Sequence, residues 1–196
     1  MSPVAIAISA VAAYFVGTIP SAIVVARAKG VDITSFGSGN PGASNVGRAL
    51  GFKYFAVVFI IDVAKGAIPT LLVLSDRPAA YICGAAAVLG HVFPVTRRFK
   101  GGKGVATGAG VLLPLFPIIM LICMVSWFSI MKISKKAALA SVLVVPLSLV
   151  LIATIGNRET WEIFAFVGIT LLIEIRHISN IKRMLSGNEN TLDVKK

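Results

Sequence analysis

Three short segments carry residues able to do chemistry. The first is GSGNPGASN, residues 37–45, followed by Arg48. Glycine lets the chain turn sharply and bring its N–H groups close to a ligand, and concave sets of amides suit phosphate oxygens. Gly39 belongs to this turn. Ser38, Asn40, Ser44 and Asn45 add side-chain donors, and Arg48 can grip a phosphate with two parallel hydrogen bonds. The pattern is neither a Walker loop nor a dinucleotide fingerprint. The same composition also suits an ordinary turn between apolar segments.

The second segment is GHVFPVTRRFKGGKGVAT, residues 90–107. Gly101 and Gly102 allow close backbone approach, and Lys100 and Lys103 flank them with positive charge. Lys103 comes just before a predicted helix start, so the amides beside it gain the positive end of a helix dipole. Arg97 and Arg98 read as anchors at a membrane face. His91, near the end of an apolar run, reads as a structural hydrogen-bonding group. The third segment is RHISNIKRMLSGNE, residues 176–189. His177 and Asn180 are three apart and share a helix face. The stretch as a whole reads as an amphipathic helix on a membrane surface. Two further sites stand out. Asp62 and Lys65 lie inside an apolar run, three apart, and are expected to pair with each other or with loop groups. Ser141 lies just inside another run, where serines mostly bond to backbone. There is no HxxxxD box, GxSxG elbow or HExxH, and no carboxylate cluster suited to a metal; no metal and no cofactor are expected.

The elements that must hold these segments are membrane helices. The chain has 196 residues, 57% hydrophobic and only 14% charged. Its net charge of +11 would suggest nucleic acid in a soluble protein. Here no soluble domain is left to carry that role, and basic loops near anionic lipid account for the charge. Cys83 and Cys123 lie in apolar runs without metal or redox spacing and read as small buried hydrophobes. No basic residue precedes the first apolar run, so it reads as a retained span rather than a cleaved signal.

The runs fall at 3–26, about 54–75, 79–96, 104–131, 137–157 and 161–176, with a loop over about 27–52. Residues 104–131 would extend about 42 Å as one helix, against a hydrocarbon core of about 30 Å. Pro114 and Pro117 sit at the centre and predict a break. Basic loops flank the run on both sides and belong in the cytoplasm, so the run is expected to be a hairpin of two short helices. That makes seven spans in one domain over 1–196, with the N-terminus outside and the C-terminus in the cytoplasm. Sixteen of the 19 Lys and Arg, the terminal Lys195 and Lys196 among them, then face inside; Arg77 and Arg158 face outside and Lys65 lies within a span.

Taken together, the three segments resemble the acyl-phosphate-dependent glycerol-3-phosphate acyltransferase family of bacterial membranes, often called PlsY. They occur in the family's order and spacing, over nearly the whole chain. The resemblance implies an all-α integral membrane protein, a compact bundle of seven helices with cytoplasmic motif loops in the bacterial inner membrane. It implies acyl transfer from a fatty acyl phosphate to the 1-hydroxyl of glycerol-3-phosphate. The products would be lysophosphatidic acid and phosphate, the first acylation of phospholipid biosynthesis. It implies a site lined by Ser38, Arg48, Lys103, His177 and Asn180, with Ser44 and Ser141 as phosphate contacts. Ser44 stands where many members have Thr, Pro41 where many have a small residue, and KKAALAS before Ser141 is poorer in hydroxyls than the family pattern. The chemistry needs no triad, since an acyl phosphate already has a good leaving group. Orientation can contribute about 7–11 kcal/mol, and fixed donors stabilise developing charge. The proton of the acceptor hydroxyl is expected to pass to a substrate phosphate, with His177 as general base the second mechanism. Two other classes remain at this point. A transporter for an anionic metabolite would place its binding groups near mid-bilayer, and a scaffold subunit would show no turnover.

Overall fold

In hydrocarbon a backbone N–H or C=O has no water to bond, so a long apolar run satisfies its peptide groups internally, as helix. The computed structural model describes residues 1–192; among them all regular structure is helical, with ten α-helices and a short 3-10 turn at Val95–Arg97. Lys195 and Lys196, counted above among the inside cations, lie outside the described residues. Among the described residues, five stretches are long and apolar enough to cross a membrane: Pro3–Arg27, Phe52–Leu72, Arg77–Arg97, Pro117–Ser134 and Ala137–Ile155.

The chain forms two compact units, Met1–Leu115 and Phe116–Lys196. The first contains α1 (Pro3–Gly17), α2 (Ser21–Arg27), α3 (Ala43–Leu50), α4 (Phe52–Leu72), α5 (Arg77–Val92) and α6 (Val105–Leu115). Here α1 packs on α5 and α4 on α6. Both contacts bring backbone against backbone. A Cβ added at Gly17 or Gly90 would strike the carbonyls of Ala87 or Tyr14, and one at Gly66 or Gly110 those of Thr107 or Val63. Close approach through small residues is how helices associate in lipid, where burial of apolar surface offers little net gain.

The second unit contains α7 (Pro117–Ser134), α8 (Ala137–Ile155), α9 (Thr160–Ile175) and α10 (Ile178–Leu185). α8 packs against α7 and α9 and touches α10. Lys135 turns the chain between α7 and α8 in a left-handed conformation (φ 56°). Its carbonyl accepts from the Leu192 N–H at 2.7 Å, which brings the tail back onto that turn. α9 opens with a capping box between Glu159 and Glu162. Phe116 and Phe166 meet edge to face, with centroids 5.9 Å apart. Cys83 and Cys123 are buried and unpaired.

Two boundaries differ from expectation. The run 3–26 is not one helix, because it breaks between Gly17 and Ser21. Pro20 has no N–H to donate and its ring clashes with an upstream carbonyl. The expected loop over 27–52 contains a helix, α3, whose Val46 is fully buried. A third feature agrees: within 104–131 the helix stops at Leu115 and restarts at Pro117, with Phe116 extended between them (φ −145°, ψ 70°). Of the two pieces, α6 has 11 residues and reaches only about 17 Å, while α7 has 18.

Candidate functional site

The 32–48 segment is shaped by two short polar side chains. Asp32 Oδ1 accepts from the Thr34 amide at 3.0 Å and the Thr34 hydroxyl at 2.7 Å. Those bonds hold the Asp32 carboxyl below the usual carboxylate range. Asn45, only 1% exposed, donates through Nδ2 to the carbonyls of Ile33 (3.1 Å) and Phe36 (2.9 Å) and accepts from the Ser38 amide (3.2 Å). Every polar group of this side chain thus holds the 33–38 strip over the start of α3. Asn45 was expected among the phosphate donors; its observed contacts build the loop. Gly37 and Gly39 are left-handed (φ 55° and 66°), a conformation that side chains rarely adopt. Ser38, Gly39, Asn40 and Ser44 are half-buried, as is Arg48 in the last turn of α3. Ser38 Oγ accepts from the Asn40 amide at 3.4 Å. Gly42 caps α3 without a side-chain bond, and first-turn amides of this kind suit an anion.

The second segment folds back on the end of α5. Arg98 and Phe99 are both left-handed (φ 52° and 61°). The Phe99 and Lys100 amides bond to the carbonyls of Pro94 (2.9 Å) and Arg97 (3.1 Å). Tyr14 of α1 holds the same turn, donating to the Phe93 carbonyl at 2.8 Å and accepting from the Val95 amide at 3.0 Å. The Gly102 amide bonds to the His91 carbonyl at 3.0 Å. Gly101 and Gly102 are therefore buried against α5. Lys103 is half-buried two residues before α6, and Arg98 and Lys100 are exposed.

Under this turn lies a buried polar cluster. Asp62 and Lys65 pair at 2.6 Å. Ser21 Oγ donates to Asp62 Oδ1 at 2.5 Å. Lys65 Nζ also donates to the Ile19 carbonyl, at the break in the first run, at 2.8 Å, and lies 3.2 Å from His91 Nδ1. Asp62 and Lys65 pair with each other, one of the two pairings expected, and His91 lies within hydrogen-bond distance of Lys65. Ser21 and Ile19 carried no signal, since their part depends on the break at Pro20.

In the second unit, Ser141 is 5% exposed. Its hydroxyl donates to the Ala137 carbonyl and accepts from Trp127 Nε1, each at 3.0 Å. His177 precedes α10, and its Nδ1 lies 2.8 Å from the Ile173 carbonyl. A carbonyl only accepts, so Nδ1 carries the hydrogen and Nε2 of the neutral ring is an acceptor. Asn180 Nδ2 donates to Glu189 Oε1 at 2.8 Å, and Arg183 Nε to Glu189 Oε2 at 3.1 Å. A carboxylate also only accepts, so the amide nitrogen of Asn180 faces Glu189, and Oδ1 is the acceptor atom on its other side. Glu189, 6% exposed, was missed as a site residue although it closes the third motif.

A model of the glycerol-3-phosphate acyltransferase family matches residues 7–187. A glycerol-3-phosphate acyltransferase of Aquifex aeolicus (strain VF5) is 40% identical over 182 residues, covering 91% of this chain and 94% of the relative. One of Macrococcus caseolyticus (strain JCSC5402) is 41% identical over 202 residues, covering 97% and 99%. Among solved structures, the crystal structure of PlsY, an integral membrane glycerol 3-phosphate acyltransferase, is similar in its glycerol 3-phosphate form. The TM-score is 0.91 at 37% identity, over 96% of each chain. For the lysophosphatidic acid form the TM-score is 0.88 at 37% identity, over 97% of this chain and 96% of the other.

Proposed function

Because the chain belongs to the glycerol-3-phosphate acyltransferase family, we propose that it moves a fatty acyl group from acyl phosphate to the 1-hydroxyl of glycerol-3-phosphate. The hydroxyl oxygen attacks the acyl carbonyl carbon, and the carbon–oxygen bond to phosphate breaks. The hydroxyl proton leaves on the released phosphate. Lysophosphatidic acid and phosphate result.

Phosphate is recognised by donors. Arg48, Lys103, Ser38, Asn40, Ser44 and the Gly101 amide fill that role; the Gly39 and Gly102 amides, expected beside them, already donate to the carbonyls of Phe36 and His91 and, with Asn45, hold the loops in shape. Lys103 also stabilises charge on the carbonyl oxygen and the departing phosphate. Ser141 reaches a phosphate oxygen only by turning its proton away from the Ala137 carbonyl. A glycerol hydroxyl, by contrast, is oriented by acceptors. The observation that carries the acceptor half of this reading is the orientation of His177 and Asn180: each has a donor nitrogen on a protein oxygen, so the opposite edge of each side chain, Nε2 or Oδ1, is the one with acceptor character. The same Nε2 could receive the proton, so His177 as general base is the second mechanism.

The protein is a multi-pass membrane protein. We read it as seven crossings of the bacterial inner membrane, with an outside N-terminus, a cytoplasmic C-terminus and chemistry on the cytoplasmic side. The lopsided distribution of Lys and Arg supports this orientation. Membrane lipid is the solvent of the acyl tail, and nucleic acid has no part.

The test is purified protein in detergent, given glycerol-3-phosphate with acyl phosphate or acyl-CoA, with and without excess EDTA. Phosphate release should require both acyl phosphate and glycerol-3-phosphate, should fail or nearly fail with acyl-CoA, and should survive EDTA. Comparable turnover with acyl-CoA, or loss on chelation that added metal restores, refutes the corresponding part. No turnover at all returns the protein to the scaffold or transporter class.

A further inference from the structure

Ionisable groups within spans are costly and mark function by default. Asp62 and Lys65 do not touch the motif loops directly, yet a continuous chain of contacts leads from them to one of those loops. Lys65 places its three hydrogens on three acceptors: Asp62 Oδ1, the Ile19 carbonyl and His91 Nδ1. An ammonium has only donors, so His91 Nδ1 accepts and the ring N–H sits on Nε2. Asp62 Oδ1 is 3.9 Å from His91 Nδ1, beyond hydrogen-bond range, so Lys65 is the link between them. The far edge of the His91 ring faces Gly102. A Cβ built there would strike Nε2 first, then Cε1 and Cδ2. The backbone of the same histidine holds the turn from below. Its carbonyl accepts from the Gly102 amide, and a Cβ at Gly101 would strike the carbonyls of His91 and Val92. One buried residue, pinned by Lys65, thus contacts both glycines that precede Lys103.

We propose that Asp62, Lys65 and His91 are positioning residues, a buried support that runs from the break in the first span to the Gly101–Gly102 turn and sets where Lys103 stands. This rests on the phosphate role given to Lys103 above. It also gives Gly102 a reason to be glycine distinct from ligand approach: the seat is taken by the imidazole.

Three sets of variants test it, read as kcat and KM for glycerol-3-phosphate, thermal stability, and backbone hydrogen exchange over residues 99–104. Gly102→Ala should lower kcat/KM by about tenfold or more in the wild-type background. Beside His91→Ala it should cost less than about threefold, because touching residues couple on this scale. Gly101→Ala is the control. Its clash is with carbonyls, so its cost should be the same with or without the His91 side chain. Asp62→Asn combined with Lys65→Met removes the ion pair without leaving a lone buried charge; it should raise exchange over 99–104 and lower kcat/KM, with at most a small change in melting temperature. Equal costs of Gly102→Ala in both backgrounds overturn the proposal, as does wild-type exchange over 99–104 in the Asp62→Asn/Lys65→Met protein. Should that protein fail to fold, the glycine pairs decide alone. Lys103→Ala is measured alongside. If it keeps full activity, the role of Lys103 falls, while exchange over 99–104 in the glycine pairs still judges the support.

Discussion

The two nitrogens of an imidazole stop being equivalent once one of them is bonded, and the two histidines here are set in opposite senses. His91 accepts at Nδ1 from Lys65, whereas His177 donates from Nδ1 to the Ile173 carbonyl. In the proposed reaction the side chain of His177 therefore meets a hydroxyl with an acceptor. His177→Gln keeps an acceptor but cannot carry the proton. With a substrate phosphate taking the proton, kcat should fall by no more than about tenfold; a loss of about 10²–10⁴ would make His177 the base. Lys103→Ala and Arg48→Ala should each weaken phosphate binding by about 1.5–3 kcal/mol, the size of a lost charge-assisted hydrogen bond. Arg97→Ala should be mild beside them, and equal losses at Arg97 and Lys103 would undo that division. Lys65→Met alone should destabilise the fold by about 3–5 kcal/mol, because it leaves Asp62 buried without its partner; urea or thermal melts would show it. The donors and acceptors of the motifs were legible in the sequence because their chemistry is carried by residue type. The contacts that orient them were not. Asn45 reaches back to Ile33, and Asn180 forward to Glu189, and nothing in either residue type announces those partners.

At the scale of elements, stability rests on glycines that let carbonyls approach. Gly110→Ala should lower the melting temperature, since its Cβ meets the Val63 carbonyl and overpacking of this kind costs about 1–3 kcal/mol. Gly168, within α9, has open space where a Cβ would go, so Gly168→Ala should be neutral or stabilise by up to about 1 kcal/mol. A fall of equal size at both positions would mean that packing at the seam is not what matters. Helix positions were largely readable because apolar runs in lipid have one economical structure, and the Phe116 break followed from two prolines in a run too long for one crossing. Pro20 offered the same signal, but its run was short enough to span unbroken, so length did not expose the break. α3 was hidden by its cap. Gly42 stands where Ser, Thr, Asp or Asn would announce a helix, and Gly47 lowers its helical propensity further.

For the molecule as a whole, labelling reads the topology. In a background of Cys83→Ala and Cys123→Ala, single cysteines replacing exposed Lys100, Pro117 and Lys132 report the two sides. Lys100→Cys and Lys132→Cys should label from the cytoplasm and Pro117→Cys from outside; one common side for all three would remove the hairpin. The break at Pro20 has a consequence for the order in which the chain enters the bilayer. In α4, Asp62 and Lys65 each add about 2.5–3.5 kcal/mol to insertion, while each Phe, Val, Ile or Leu returns only about 0.3–0.6. The two sums nearly cancel, so α4 alone is a marginal passenger for the insertion machinery. Its lysine finds the Ile19 carbonyl and its aspartate finds Ser21 only on the preceding segment. The first two spans should therefore leave the translocation channel as a pair, the earlier one waiting at its mouth until the later one arrives. An insertion reporter carrying residues 52–72 alone should integrate incompletely, and one carrying residues 1–75 should integrate fully.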